Sequence, residues 1–328
     1  MSEFRTVLNP PRSNAKIGLK DAVLTVGSCF SDAIGHRLAA YKINTCINPF
    51  GILYNPCSVH KALLYAIENQ TVSQDTFVQW QGVYGSYDFH SELAALDKEE
   101  LAAKLHERVR STYSFIKTTN WLMITYGTAW VYRRKDNASI VANCHKQPAS
   151  SFDKSLLSVD EVMASFQDFY QQLKAINPKV NIILTVSPVR HLKDTIPLNA
   201  VSKSVLRLAC HQLSERFSDL YYFPAFEIVT DDLRDYRFYK ADMIHPSKEA
   251  ETYIWAKFVE VFGTEDFIQF IPRWEEILTA FAHKPFYPET EAHQRFLGQL
   301  LQKLKHLQSL VNVDFEVKSV QNQIKILK

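Results

Sequence analysis

Short apolar runs alternate along the first part of the chain with longer stretches whose apolar positions recur every three or four residues. The first run, AVLTV at 22–26, is continuous and rich in β-branched residues. That is the pattern of a strand buried on both faces of a parallel sheet. It runs into Gly27-Ser28-Cys29-Phe30, after which Ser31-Asp32 open a helix with Ile34, Leu38 and Tyr41 on its apolar side. A second strand near 45–48 stops at Pro49-Phe50-Gly51, and a helix is predicted over 55–67. Residues 76–93 alternate between aromatic and polar character and predict a two-stranded excursion turning near 83–85. A charged helix over 98–117 returns to a core strand at 121–125, followed by a hairpin of 129–134 and 139–143. A helix over 161–176, a strand at 180–186, a helix over 200–217 and a strand at 220–223 come next. A loop at 224–246 and a helix over 247–262 close the series.

Strands alternating with helices predict an α/β fold: a three-layer arrangement with a parallel sheet covered on both faces. Beyond 262 the rhythm changes, because 267–282 and 289–310 read as helices and 311–328 as a polar end with scattered Val and Ile. The expected division is therefore an α/β domain at 1–264 and a helical C-terminal extension at 265–328. Leu297, Leu301, Leu304 and Leu307 fall at helical spacing and form a docking face for the sheet domain, with a dimer seam as the second reading.

Composition narrows the function. A hydrophobic share of 46% and a charged share of 22% suit a protein with a full core. Lys+Arg 37 against Asp+Glu 35 leaves a net charge of +2, and no basic tract interleaves with aromatics, so nucleic acid is not an expected partner. Five cysteines at 29, 46, 57, 144 and 210 make no CxxC pair, which reads as reduced thiols. With no apolar leader and no run of membrane-spanning length, the expectation is a cytoplasmic protein without a membrane segment. Neither HxxxH nor paired CxxC occurs, so no metal is expected. No GxGxxG follows a strand and there is no GxxxxGK[ST] loop, so no dinucleotide or nucleoside triphosphate cofactor is expected either.

In a parallel α/β sheet, sites collect at the carboxyl ends of the strands. Ser28 follows the first strand at the start of a helix, where unpaired N–H groups and the positive end of the helix dipole can hold a developing oxyanion. Its other role is a helix cap. Cys29 is adjacent and is either a second nucleophile activated by the same helix end or a small buried apolar residue. At most one of the two faces the cleft, and the reading favours Ser28. A serine nucleophile needs a base, and Asp242-Met243-Ile244-His245-Pro246 places an imidazole three residues after a carboxylate at the last strand-to-helix junction. Gly127 and Thr128 follow the third strand. Arg190 and His191 follow the fourth, Arg190 to bind a substrate carboxylate or phosphate or to pair with a loop carboxylate, His191 as a reserve base. His145 and Lys146 are further candidates to line the cleft.

Gly27-Ser28-Cys29-Phe30-Ser31 resembles the GSCFA signature, with Ser31 where the family name has alanine. That family looks like a branch of the SGNH (GDSL-like) hydrolases, and the resemblance spans 21–262. It implies an SGNH-hydrolase or flavodoxin-like fold, Ser28 as nucleophile, and Asp242 and His245 as its acid and base. It also implies that Gly51, in Asn48-Pro49-Phe50-Gly51, lends a backbone N–H to an oxyanion hole together with Ser28. Ile124-Thr125-Tyr126-Gly127-Thr128-Ala129 resembles the third block of the superfamily, but SGNH enzymes place an Asn two residues after that glycine, and Ala129 cannot donate. Asn143, returning on the hairpin, is the candidate replacement, its other reading being a turn residue. The activity implied is a serine-dependent acyl-ester hydrolase or O-acyltransferase acting through a seryl-acyl intermediate. Its substrate would be a small-molecule or carbohydrate ester. The competing reading is a non-catalytic carbohydrate- or small-ligand-binding module on the same fold, which the Ala129 departure permits.

Overall fold

The computed structural model describes residues 5–324. The polar start at 1–4 and the last four residues of the 265–328 extension therefore lie outside the described residues. In chain order the strands are β1 (Ala22–Gly27), β2 (Asn44–Ile47), β3 (Phe77–Trp80), β4 (Val83–Ser86), β5 (Trp121–Tyr126), β6 (Trp130–Arg134), β7 (Ile140–Val141), β8 (Phe152–Leu156), β9 (Asn181–Val186) and β10 (Leu220–Tyr222). The helices are α1 (Cys29–Ala40), α2 (Pro56–Ile67), α3 (Lys98–Ile116), α4 (Val159–Ile176), α5 (Ile196–Arg216), the single turn α6 (Ala225–Glu227), α7 (Lys248–Phe262), α8 (Glu265–Ala282), α9 (Glu291–Leu307) and α10 (Asp314–Gln323).

Three continuous apolar runs, β1, β5 and β9, pair with β2 and β10 as one parallel sheet in the order β10-β9-β5-β1-β2. Chain order therefore reverses direction between β1 and β5, the doubly wound arrangement in which a crevice opens at the carboxyl end of the switch. Alternation along each strand sorts the side chains into two layers. Leu24, Val26, Leu122, Ile124, Ile182 and Leu184 pack on one face against α2, α3, α4 and α5. Val23, Met123 and Ile183 face the other way, onto α1 and α7. This is the three-layer α/β architecture expected from the pattern. Among the described residues, no helix is long and apolar enough to cross a membrane.

The helical extension joins the α1–α7 layer. Leu297, Leu304 and Leu307 are buried there, with Leu300 taking the place expected of Leu301, which is only partly buried. Its anchor is the carboxyl end of α1: the Trp274 indole N–H donates to Ala40 O at 2.7 Å, and the Tyr41 hydroxyl donates to Glu275 at 2.6 Å.

Several local expectations shift. The β3–β4 turn lies at Gln81-Gly82, both at positive φ, rather than at 83–85. The two-residue loop matches the strand twist, and Gly82 adopts that conformation without cost. β8, unexpected from sequence, pairs with β6, because exposed Asp153 and Lys154 interrupt its apolar pattern. Residues 314–323 form a helix where a polar end was expected, held by buried Val320, partly buried Val317 and the ion pair of Glu316 with Lys42 at 2.6 Å.

Candidate active site

The turn after β1 is built around a glycine that no other residue could replace. Gly27 has φ +133°, and a Cβ there would lie 2.2 Å from Thr125 O on the neighbouring strand. Ser28 then leaves the sheet in an extended conformation and caps α1, its Oγ accepting the Phe30 N–H at 3.3 Å. The Ser28 N–H is spent on Thr125 O at 3.1 Å, and the residue is 1% exposed. Ser31 donates its hydroxyl back to Val26 O at 2.9 Å. Cys29, the first residue of α1, is only half-buried.

The second segment grips this turn. Asn48, at φ +38°, accepts the Gly27 N–H on its side chain at 2.9 Å and donates its own N–H to Thr25 O at 2.8 Å. Gly51 has φ +73°, and its N–H closes a turn onto Asn48 O at 2.8 Å. The two backbone donors expected in an oxyanion hole, those of Ser28 and Gly51, are thus committed to carbonyls. Gly51 serves as a spacer against His90, whose Cβ would lie 2.3 Å from an added Cβ.

At the carboxyl end of β5, the Gly127 and Thr128 N–H groups both donate to Tyr54 O, at 2.7 and 3.1 Å. The Thr128 hydroxyl meets Ser202 Oγ at 3.0 Å, and the same Ser202 oxygen accepts the Ala129 N–H at 2.7 Å. Lys203, one residue on and fully buried, bridges the ends of β5 and β9 by donating to Gly127 O and Ser187 O, each at 2.7 Å. Burial pulls its pKa from 10.5 down to about 7.

Asp242 and His245 form a closed unit. One Asp242 oxygen accepts the N–H groups of Ile244 (2.9 Å) and His245 (3.0 Å), and the other meets His245 Nδ1 at 2.7 Å. Those bonds, the backbone ones foremost, hold the Asp242 carboxyl down to about 2. Met243 at φ +57° supplies the bend that lets the short loop close on itself. The pair is about two-fifths exposed, and among the described residues Nε2 of His245 has no hydrogen-bond partner and does not bond Ser28. The loop is tied to β9 by the Arg190 N–H, which donates to Ile244 O at 3.3 Å.

The cleft between these segments collects groups the sequence reading did not join. The His191 ring stands edge-on to Tyr54 at 5.4 Å, and its Nε2 would lie 3.3 Å from a Cβ on Gly127. Burial, with the Lys203 charge adding to it and His245 contributing, lowers the His191 pKa to about 4, so this imidazole is neutral near pH 7. Burial pushes the Cys29 thiol up, while its own N–H and the Lys203 and Lys240 ammonium groups act in the opposite direction. Tyr54 and Lys203 both sense the Cys29 charge. Tyr54, Ser202 and Lys203 were absent from the sequence reading. Lys203 had left a signal, since it shares one helical face with Leu206, Cys210 and Leu213, all buried.

The remaining candidates lie elsewhere. Asn143 uses its side-chain oxygen to accept the His145 N–H at 2.8 Å, the turn role that was its other reading. His145 Nε2 bonds Ser86 O at 2.7 Å against the β3–β4 hairpin. With Lys146 the two line a cleft of about 370 Å³ that includes neither Ser28 nor His245. The Arg190 guanidinium lies over the Tyr239 ring at 4.2 Å, and among the described residues it forms no ion pair with a carboxylate. Among the described residues, no three His, Cys, Asp or Glu side chains are grouped to hold a metal ion.

No curated protein matches the chain. Among solved structures it is similar to a carbohydrate esterase family 3 enzyme from Talaromyces cellulolyticus, at 7% identity, TM-score 0.34, 78% of this chain and 99% of that one. A mutant acetyl-xylooligosaccharide esterase from Geobacillus Stearmophilus aligns at 15% identity, TM-score 0.37, 76% of this chain and 97% of that one. A carbohydrate esterase family 2 enzyme plus carbohydrate binding domain from Corynascus thermopiles (Myceliophthora fergusii) aligns at 13% identity, TM-score 0.28 and 47% of this chain, which spans 38% of that chain's length. Family models give the firmer result. The one described as GSCFA domain protein, C-terminal domain, matches 274–326, across α8, α9 and α10. The GSCFA family model matches 22–258, from β1 and its glycine turn through the Asp242–His245 loop and most of α7, and the chain belongs to the GSCFA family.

Proposed function

We propose that this chain is an acyl-ester hydrolase or O-acyltransferase that forms an acyl-enzyme on the β1–α1 turn, with His245 as base and Asp242 as its orienting acid. The observation that carries this reading is the Asp242–His245 unit at the carboxyl edge of the sheet. A carboxylate locked by two backbone N–H groups fixes Nδ1–H, so Nε2 keeps its lone pair and is free to take a proton. The nucleophile's proton passes to Nε2 as the ester carbonyl is attacked. The same proton then goes to the departing alkoxide. Water or an acceptor hydroxyl next attacks the acyl-enzyme, giving its proton to Nε2, and as the acyl–enzyme bond breaks that proton returns to the nucleophile. The substrate is a small-molecule ester, with O-acylated carbohydrate as the class that the SGNH resemblance implies. Ser28 is the nucleophile implied by that resemblance.

The test is p-nitrophenyl acetate turnover with and without sugar acceptors. His245→Ala should lower kcat/KM by ~10² or more, and Asp242→Asn by a similar factor. Acceptor-stimulated release of p-nitrophenol would identify transfer. Activity unchanged in both variants would refute the reading. The alternative, a non-catalytic ligand-binding module, is favoured by one observation: the N–H groups of Ser28 and Gly51 are both engaged by carbonyls. Saccharide binding by a protein that turns over no ester would support it.

A further inference from the structure

Two nucleophilic side chains share the β1–α1 turn, and their surroundings differ. Ser28 Oγ is 1% exposed and occupied as the helix cap by the Phe30 N–H. With the Ser28 N–H held by Thr125 O, a carbonyl attacked at Ser28 would find no donor on that residue for its oxygen. Cys29 presents the opposite case. Its side chain is half-buried, and as the first residue of α1 its N–H has no carbonyl a turn behind to bond. Among the described residues, that N–H donates to no other residue and lies close enough to its own sulfur to affect it. Burial foremost pushes the thiol pKa up, and the Lys203 and Lys240 charges on either side act against that rise. Lys203 belongs to α5, while Lys240 belongs to the loop whose backbone N–H bonds His245 O at 2.7 Å. Tyr54, packed on His191, is the third neighbour.

Resting on the acyl-transfer reading above, the geometry points to Cys29 as the nucleophile, its own N–H as an oxyanion donor, and Ser28 as the cap that holds the turn. In the first step a bond forms between Cys29 Sγ and the ester carbonyl carbon. The thiol proton moves to His245 Nε2, and the carbonyl electrons shift to oxygen beside the Cys29 N–H. Collapse breaks the carbon–alkoxide bond, and the alkoxide leaves with the proton from His245. Water or an acceptor hydroxyl then attacks the thioester, its proton passing through His245 to the departing thiolate. No oxidant or reductant is required.

The assay is acid-quenched reaction with p-nitrophenyl acetate, followed by peptide mass spectrometry and neutral hydroxylamine, which cleaves thioesters and spares seryl esters. An acetyl group on Cys29, removed by hydroxylamine, is the expected result. Cys29→Ala should lower kcat/KM by ~10² or more with an unchanged circular dichroism spectrum. Ser28→Ala should keep hydroxylamine-sensitive acetylation at Cys29, whatever it loses in stability. Cys29→Ser should move any residual acetyl group into the hydroxylamine-resistant class. An acetyl group on Ser28 or any other residue, or full turnover by Cys29→Ala, would overturn the assignment and leave the acyl-transfer reading standing. No acyl group on the protein, with no turnover, would overturn both.

Discussion

Replacing Lys203 with methionine should flatten the alkaline side of the protein's stability profile. The Lys203 amine is fully buried and bridges Gly127 O and Ser187 O, each at 2.7 Å. Burial lowers its pKa from 10.5 to about 7. The unfolded chain keeps this proton until the pH approaches the higher value, and the folded chain releases it near the lower one. Between the two, the unfolded state binds more protons, so stability rises with pH. The cost of burying the charged amine is fully present below about pH 7 and is relieved as the pH climbs. Integrated from about pH 7 to about pH 9, the gain is about 2 kcal/mol. A neutral amine still carries two N–H donors for the two carbonyls, so both bonds survive deprotonation. Methionine keeps the unbranched apolar stem and removes the titration. The variant should lose ~1–3 kcal/mol for each orphaned carbonyl and show no rise of its own from this site. Urea melts of both proteins at the two pH values read the comparison directly. The wild-type advantage should be wider by about 2 kcal/mol at the higher pH. A gap that stays constant or narrows would mean that Lys203 stays charged in the folded protein, and the electrostatic account of the cleft would fail.

Other outcomes follow from buried groups. The His60 ring lies between Ser165 Oγ (2.8 Å) and the Tyr126 hydroxyl (2.6 Å), and burial lowers its pKa from 6.5 to about 3. Stability should therefore fall by about 2 kcal/mol from pH 7 to pH 5 through this residue, and His60→Gln should remove that part of the slope in acid-side melts. Gly27→Ala drives a Cβ to 2.2 Å from Thr125 O at φ +133° and should cost ~3 kcal/mol or more, seen as a depressed melting temperature or loss of folded protein. Trp274→Ala removes an indole that is 1% exposed together with its bond to Ala40 O, and denaturant melts should show a loss of ~3–5 kcal/mol.

The sheet was legible because β1, β5 and β9 are unbroken apolar runs, and strands covered on both faces have little freedom to look otherwise. The Asp242–His245 contact could also be read, since three residues of irregular chain suffice to bring the two side chains together. What failed to show was anything decided by backbone hydrogen bonding. Gly51 looked like a donor, yet its N–H closes a turn on Asn48, and no feature of Asn48-Pro49-Phe50-Gly51 announces which carbonyl will claim it. Asn143 and Arg190 were assigned from their distance along the chain to a strand end. Their side chains turn instead to a local N–H and to a tyrosine ring. The sequence reading favours Ser28 over Cys29 from its place at the strand end, but no feature of Gly27-Ser28-Cys29 announces that the Ser28 N–H will be claimed by Thr125 O. Tyr54 and Lys203 reach the cleft from helix-flanking or helix-interior positions that a search of strand ends passes over.

Helix α1 has a load at each end. Its N-cap is Ser28 and its first residue Cys29, the two candidate nucleophiles, and its far end receives Trp274 and Glu275 from the appended helices. Twelve residues of rigid rod connect the two. Any loosening of the far attachment would tilt the rod and swing the near end relative to the imidazole loop, which is fastened separately to β9. If the proposed chemistry holds, the appendage would act as a brace for it, and substitutions at Trp274 or Glu275 would reach the β1–α1 turn through the helix.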